Sequence, residues 1–171
     1  VLMSYVIMPR FGMNLDKFFE ESSQYRLTNS SILHLGLEII ELLEGIHLAG
    51  YTYNDLKLDN LLIGYKDRPQ IQKNLSGNCF EDCEIHLVDF GFAKQYIDKK
   101  TKAHIEQNDV DSFRGNMIFA SLNQLNFLET SRRDDLLSLC YMLIYLLNRG
   151  HLKGIDLSAN LSKNQSFRQA K

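Results

Sequence analysis

The sequence predicts an α+β fold that is mainly α-helical and contains one short β-hairpin. The first observation is a long amphipathic helical pattern that begins near Thr28 and ends before Gly50, a residue that often follows a helix end. The second is the range 136–147, which is apolar at nearly every position and is expected to form a helix at the buried centre of the domain. The third is a pair of short apolar ranges, 61–64 and 85–88, which have the length of paired strands.

Composition limits the function classes. The chain has 171 residues, of which 44% are hydrophobic and 23% charged, and these fractions fit one globular domain with a sizeable core. A net charge of -2 argues against a nucleic-acid partner, which usually requires a basic excess. No apolar run is long enough to span a bilayer, so no membrane partner is expected. Three cysteines make no disulfide framework, which indicates a reducing compartment, the cytoplasm or the nucleus.

Local signals mark the helix ends. A short amphipathic helix is expected over 14–21, and either Thr28 or Ser30 can cap the long helix that follows. Ser131 and Asp134 have the capping-box spacing at the start of the last helix. Along the long helix the apolar residues form one stripe, which consists of Ile32, Leu35, Ile39, Leu42, Leu43 and Ile46.

Several residues with reactive side chains are interpreted as structural. His34 and His47 lie on the long helix and are expected to have no ligand role. Cys140, in the last helix, is expected to be a buried and inert thiol.

The polar range 65–84 is expected to be a surface loop between the two strands. Cys79, Cys83 and His86 are spaced as C-x3-C-x2-H, which raises the possibility of a metal site. Because zinc would need a fourth ligand, a solvent-exposed loop is the favoured interpretation.

The stretch from 51 to 62 carries the residues that are best suited to catalysis. Asp55, Lys57 and Asn60 form a D-x-K-x-x-N cluster between the long helix and the first apolar strand. Their types suit phosphoryl transfer, in which a protein mainly positions charge. Asp55 can accept a proton from an attacking hydroxyl, Lys57 can offset charge on a phosphate, and Asn60 can turn its carbonyl to Mg²⁺. A polar loop with three solvated side chains is the alternative.

A second motif favours the catalytic interpretation. Asp89-Phe90-Gly91 directly follows the apolar range 85–88, so a short strand delivers a carboxylate into a turn. Asp89 can then bind the same magnesium ion as Asn60. The triplet alone is weak evidence, but the base and two metal ligands occur in the order that phosphoryl transfer requires.

With these motifs the sequence resembles the eukaryotic protein kinases, and within them the casein kinase 1 family. That family is similar in carrying Ser-x-Asn, as Ser121 and Asn123 do, where other kinases carry Ala-Pro-Glu. The resemblance covers roughly residues 1–150. Its specific marks are Tyr5-Val-Ile-Met8 with Phe11-Gly12, Asp89-Phe-Gly-Phe-Ala-Lys94, Phe119-Ala-Ser-Leu-Asn123 and Ser131-Arg-Arg-Asp-Asp135.

The resemblance implies a protein-kinase-like large C-terminal lobe with a short β-hairpin, while the small N-terminal lobe is largely absent. The chain is therefore expected to be a fragment. Residues 1–150 would form a partial kinase domain made of the last small-lobe strand, the hinge and the large lobe. Residues 5–8 are expected to be that buried strand, ending at Pro9, and 151–171 a polar, loosely ordered tail.

The resemblance also implies a serine/threonine kinase that uses ATP and Mg²⁺ and acts on protein substrates. Asp55 would be the catalytic base, Lys57 the phosphate contact, and Asn60 and Asp89 the magnesium ligands. Met8 would be the gatekeeper residue behind the adenine. The residues expected around the nucleotide are Met8, Pro9 through its carbonyl, Phe11 through its amide, Leu62 and Val88.

Four positions depart from the family pattern, namely Tyr53, Asn54, Asn116 and Ile118. Tyr53-Asn54-Asp55 stands where the family has His-Arg-Asp, and tyrosine can keep a packing role there. Asn54 cannot supply the charge with which the arginine pairs with a phosphate, so control by phosphorylation of the activation segment is not expected. Asn116 replaces a threonine that bonds the catalytic residues, and Ile118 replaces an arginine of an anion site. Recognition of already phosphorylated substrates is therefore in doubt.

The activation segment is expected to comprise 93–119 and to be locally basic. Four lysines could favour acidic or phosphorylated peptides, although a solvated charge run is an equal alternative. These lysines are Lys94, Lys99, Lys100 and Lys102.

Two other functions are kept beside the kinase. A pseudokinase or protein-binding module would explain the departures at Asn54, Asn116 and Ile118, and a small-molecule phosphotransferase shares an Asp-then-Asn loop. The sequence contains no glycine-rich loop, so the chain alone is expected to be inactive.

Overall fold

The computed structural model describes residues 5–21, 27–65, 80 and 83–152. These residues form four α-helices, a single 3-10 turn and two antiparallel two-stranded sheets, which agrees with the predicted mixture of helices and a short hairpin. In chain order the elements are α1 (Leu15–Glu21), α2 (Asn29–Leu48), β1 (Tyr51–Thr52), the 3-10 turn (Leu58–Asn60), β2 (Leu61–Tyr65), β3 (Cys83–Leu87), β4 (Lys94–Gln95), α3 (Leu122–Leu125) and α4 (Arg132–Leu147).

Helix α2 is the scaffold of the domain, as its apolar stripe predicted. Thr28 caps it, because its side-chain oxygen accepts a hydrogen bond from the Ser31 amide at 3.1 Å. The helix ends before Gly50, whose φ of 88° is the left-handed conformation common after helices. The stripe packs against α4, and its fully buried members are Leu35, Ile39 and Leu43.

The predicted hairpin is confirmed. Strands β2 and β3 pair antiparallel, with Leu62 opposite His86. Side chains alternate along both strands, so Leu61, Ile63 and Ile85 enter the core while Leu62 and His86 lie on the other, half-buried face.

A second, shorter sheet joins distant parts of the chain. Strand β1 pairs antiparallel with β4, and Thr52 lies opposite Lys94. The Tyr96 amide extends this contact with a 3.1 Å hydrogen bond to the Gly50 carbonyl. The segment that follows Asp89 is thereby returned to the residues that precede Asp55.

The prediction of a buried strand over 5–8 is wrong. These residues form no strand, and Ile7 is 87% exposed. Apolar residues form a buried strand only beside partner strands, and none of the described strands pairs with this range.

The prediction that α4 is buried all round is also wrong. One face packs on α2 and on β1, which leads into the loop that carries Asp55. On the other face Leu136 and Ile144 are 43% and 45% exposed. Cys140 lies on the exposed side, so its expected burial is wrong as well. Apolarity alone does not bury a helix, because each face needs a neighbouring element to cover it. The described residues cover one face of α4.

Some predictions fall outside the described residues. They concern most of the loop 65–84, including Cys79, and the tail 151–171 except its first two residues. Cys83 is buried. Among the residues whose placement is described, no group of three His, Cys, Asp or Glu side chains could hold a metal ion. In the same residues no helix has the length and apolarity needed to cross a membrane.

Two glycine substitutions should have opposite effects on stability. Gly115 has a φ of 107°, and a Cβ there would lie 2.1 Å from the Asn54 carbonyl oxygen. Gly115→Ala should therefore lower the free energy of unfolding by about 2 kcal/mol or more. Gly45 lies within α2 with open space around it, so Gly45→Ala should raise that free energy by about 0.5–1 kcal/mol. Urea unfolding measures both, and equal effects would contradict this description of Gly115.

Candidate active site

The start of α4 holds the catalytic loop, residues 53–60, in place through buried hydrogen bonds. Asp135 is only 1% exposed, and one of its oxygens accepts hydrogen bonds from His47 Nε2 and from the Tyr53 amide, both at 2.8 Å. Its other oxygen accepts the Asn54 amide at 2.7 Å. Two consecutive backbone N–H groups are thus bonded to one carboxylate, which fixes the conformation of the loop just before Asp55.

His47 was interpreted as an ordinary helix residue, but the structure gives it a partner in this support. Its ring is buried and bonded to Asp135. A sequence signal was present, because His47 lies one helical turn after Leu43 on the buried stripe of α2. A polar side chain on such a stripe requires a buried partner. His34, in contrast, is half-exposed and lies 3.8 Å from Glu38 on the same helix.

Asp55, Lys57 and Asn60 converge within the loop. Oδ2 of Asp55 accepts a hydrogen bond from Lys57 Nζ at 2.9 Å and another from Asn60 Nδ2 at 3.0 Å. The same side-chain nitrogen of Asn60 also donates to the backbone carbonyl of Asp55 at 3.0 Å. Because this nitrogen faces into the loop, the side-chain oxygen Oδ1 of Asn60 is the group of this side chain left to face a cation.

The second oxygen of Asp55 differs from the first. Oδ1 is buried and has no hydrogen-bond partner among the described residues. A buried carboxylate oxygen without a donor is energetically unfavourable, and such atoms are typical of functional sites. The loop therefore fixes this carboxylate through Oδ2, while Oδ1 keeps the capacity to accept a hydrogen bond.

Tyr53 links the loop to the strand that leads to Asp89. Its hydroxyl donates to the Val88 carbonyl at 2.6 Å and accepts the Asn60 side-chain nitrogen at 2.9 Å. Burial raises the pKa of Tyr53 far above its usual value, and the carboxylates of Asp55 and Asp89 add to the rise. The phenol thus remains protonated and keeps its donor role. A packing role alone was expected, so the sequence interpretation missed this link.

Asp89 is brought beside Asn60 by this link and by the backbone. The Val88 amide donates a hydrogen bond to the backbone carbonyl of Asn60 at 3.0 Å. Asp89 itself has a φ of 61°, and its Oδ1 accepts the Gly91 amide at 3.2 Å. The turn after β3 therefore presents an exposed carboxylate next to the loop, at a backbone conformation that Asp tolerates better than most residues.

Three of the residues predicted around a nucleotide lie in the hairpin or beside it, namely Phe11, Leu62 and Val88. Gly12 and Met13 are bonded to Ile63 of β2 through the backbone at 2.8 and 3.0 Å, which holds the preceding segment against the sheet. The Phe11 ring stacks on His86 with centroids 4.2 Å apart. Of the other predicted residues, Leu62 and Val88 are half-buried, while Met8 and Pro9 are exposed.

The Ser-x-Asn pattern has a structural role. Ser121 Oγ and Asn123 Nδ2 both donate to Asp134 Oδ1, at 2.7 and 2.8 Å. The other oxygen of Asp134 accepts the Ser131 amide at 2.7 Å. These contacts join α3 to the start of α4. Asn116 Oδ1 accepts hydrogen bonds from the amides of 118 and 119 in its own loop, rather than contacting Asp55 or Lys57.

Comparison with known proteins agrees with this geometry. The chain matches the protein kinase domain family over residues 4–169. The chain belongs to the protein kinase family. This kinase chain is 32% identical to Casein kinase I homolog 1 and to Casein kinase I homolog 2 of Saccharomyces cerevisiae, each over 164 residues. It is 31% identical to Casein kinase I homolog RAG8 of Kluyveromyces lactis over 172 residues. The predicted resemblance to casein kinase 1 is therefore confirmed.

The matches cover nearly all of the kinase chain but a small part of each relative. They include 96% of this chain and 28% of either Saccharomyces protein, and 99% of this chain and 30% of the Kluyveromyces protein.

Asp135→Asn should weaken the support of the catalytic loop. The amide keeps one acceptor oxygen for three donors and places an NH₂ group against at least one of them. We expect a loss of about 2–4 kcal/mol in the free energy of unfolding. Chemical unfolding measures it, with Asp111→Asn as a control because Asp111 is exposed. Similar values for the two variants would contradict the role of Asp135.

Proposed function

We propose that this chain is the catalytic part of a serine/threonine kinase of casein kinase 1 type, which transfers the γ-phosphate of ATP to a protein hydroxyl. The observation that carries the proposal is the Asp55 carboxylate, whose Oδ2 is fixed while the buried Oδ1 has no hydrogen-bond partner in the described part of the chain. A substrate hydroxyl would donate the hydrogen bond that this oxygen does not receive from the described residues.

In this proposal Asp55 and Lys57 act together. Oδ1 of Asp55 accepts the hydrogen of the substrate hydroxyl and orients its oxygen toward the phosphate. Lys57, whose side chain is 25% exposed, places its ammonium group 2.9 Å from the same carboxylate. It can therefore neutralise negative charge that gathers at the transferring phosphate.

The donor set also fits a magnesium ion bound to phosphates. Mg²⁺ in kinases usually takes one or two protein oxygens and completes its coordination with phosphates and water. Asn60 and Asp89 would supply those protein oxygens, and the ion would contribute neutralisation of phosphate charge.

Nucleotide binding would use the face of the hairpin that carries Leu62 and Val88, with the adenine bonded to the backbone of Pro9 and Phe11. Support comes from the backbone contacts that hold 12–13 on β2 and from the stack of Phe11 on His86. Both contacts would restrict the segment that bonds the adenine, which lowers the entropy lost on binding.

We propose protein substrates, including acidic ones, and action in the cytoplasm or the nucleus. Lys99, Lys100 and Lys102 are exposed, as a basic docking surface requires. Lys94 is paired with Glu129, so three of the four lysines noted in the sequence remain for this role.

The Asp55→Asn variant tests the base. We expect phosphate transfer to casein to fall at least about 100-fold, because the amide oxygen is a poor proton acceptor. Transfer from labelled ATP is measured in a longer protein that joins this chain to a kinase small lobe. Asp59→Asn is the matched control, since Asp59 is exposed in the same loop and should retain activity. Full activity of Asp55→Asn would remove Asp55 from its role.

The chain of 171 residues is expected to transfer no phosphate to casein above background when assayed by itself. Its sequence has no glycine-rich loop to cover the phosphates, so positioning of ATP should be lost. Measurable transfer from labelled ATP by this chain would contradict the expectation. If the joined protein is folded and also inactive, the kinase proposal fails and the alternative of a protein-binding module is favoured.

A further inference from the structure

Asn54 stands where the family has an arginine, and its side chain is fully bonded. The residue is 7% exposed. Its Nδ2 donates to the Phe92 carbonyl at 2.9 Å and to Thr52 Oγ1 at 3.1 Å. Its Oδ1 accepts Thr130 Oγ1 at 2.6 Å. Both side-chain hydrogens and the carboxamide oxygen are therefore used, and no partner carries a charge.

These partners belong to three separate parts of the chain. Phe92 directly precedes the activation segment, and Thr130 lies two residues before the first residue of α4. Thr52 is in β1, and its hydroxyl donates in turn to the Lys94 carbonyl in β4 at 3.2 Å. A single carboxamide thus joins the catalytic loop to the start of the activation segment and to the approach to α4.

The backbone of Asn54 contacts the other end of the activation segment. Gln124 Nε2 donates to the Asn54 carbonyl at 2.9 Å and to the Arg114 carbonyl at 3.1 Å. Gly115 lets the chain pass so close that an added Cβ would lie 2.1 Å from the same Asn54 oxygen. With a φ of 69°, Asn54 also adopts a left-handed conformation that Asn accepts more readily than most residues.

We propose that Asn54 is a positioning residue that holds the activation segment against the catalytic loop by uncharged hydrogen bonds. The inference rests on the proposed kinase function, which gives the position of this segment its importance. A cation at this position would need an anion, such as a phosphate, to complete the contact. The carboxamide finds both its acceptors and its donor within the chain, so the contact is complete without a charged partner.

Hydrogen exchange of the full chain without nucleotide tests the inference. In Asn54→Asp the carboxylate cannot donate to the Phe92 carbonyl, although Asp tolerates the same φ. We expect the amides of Tyr96 and Ile105, which are bonded to Gly50 and Tyr96 in the structure, to exchange about tenfold faster, while the α2 amides stay unchanged. Asn108→Asp is the matched control, because the Asn108 side chain donates to the nearby Glu106 carbonyl in the exposed part of the segment.

Thr130 tests the opposite side of the carboxamide. Thr130→Val removes the donor to Asn54 Oδ1 and should also accelerate exchange in the segment, whereas Thr130→Ser keeps the hydroxyl and should behave as wild type. Wild-type exchange in both Asn54→Asp and Thr130→Val would overturn the inference. Parallel acceleration in α2 would overturn it too, because Asn54 would then be supporting the whole fold.

The measurement requires neither ATP nor phosphate transfer. A chain whose segment is held by Asn54 can therefore pass this test even if the kinase proposal fails. A kinase that is active in the joined protein can equally fail it.

Discussion

The Asp135 carboxylate accepts hydrogen bonds from the backbone of two consecutive catalytic-loop residues and from the ring of His47. Every other feature of the site depends on this contact, because it connects the two large helices to the loop. Helix α2 supplies His47 and α4 supplies Asp135, so the packing of α2 on α4 is transmitted to the loop through a few buried atoms. A carboxylate can serve three donors at once, which a neutral side chain of the same size cannot do.

Above this support the polar groups form a continuous network. Tyr53 joins Asn60 to the Val88 carbonyl, and Asn60 joins Tyr53 to Asp55. Buried networks of this kind restrict their members strongly when every group has a partner. The exception is Asp55 Oδ1, which has no partner among the residues that the structure describes. In the proposed reaction this oxygen is the acceptor for the substrate hydroxyl.

The loop is also joined to the activation segment without charge. The resemblance to the family implies an arginine at position 54, and a cation there would need an anion to complete the contact. Here the carboxamide of Asn54 connects Phe92 and Thr130, while Gly115 allows the backbone of the segment to approach. Replacing a cation by an amide changes what the contact responds to, since neutral hydrogen bonds between groups of one chain require no added phosphate.

The sequence by itself determined the main helices, the hairpin and the family. Helix α2, with Thr28 as one of two candidate caps, the hairpin of β2 and β3 and the family were predicted, because periodicity, caps and short motifs are local properties. Tertiary structure alone decided which faces are buried. Residues 5–8 and one side of α4 were expected inside and are exposed, since burial depends on neighbours that a local pattern does not specify.

Tertiary structure also decided which polar residues are partners. His47 and Asp135 are 88 positions apart, and Asn54 and Thr130 are 76 apart, so no spacing in the sequence connects either pair. Their side chains meet because α2, the catalytic loop and α4 pack together. Contacts of this kind are long-range and depend on how the elements pack. The motif around Asp55 is local, because it lies within the six consecutive residues 55–60.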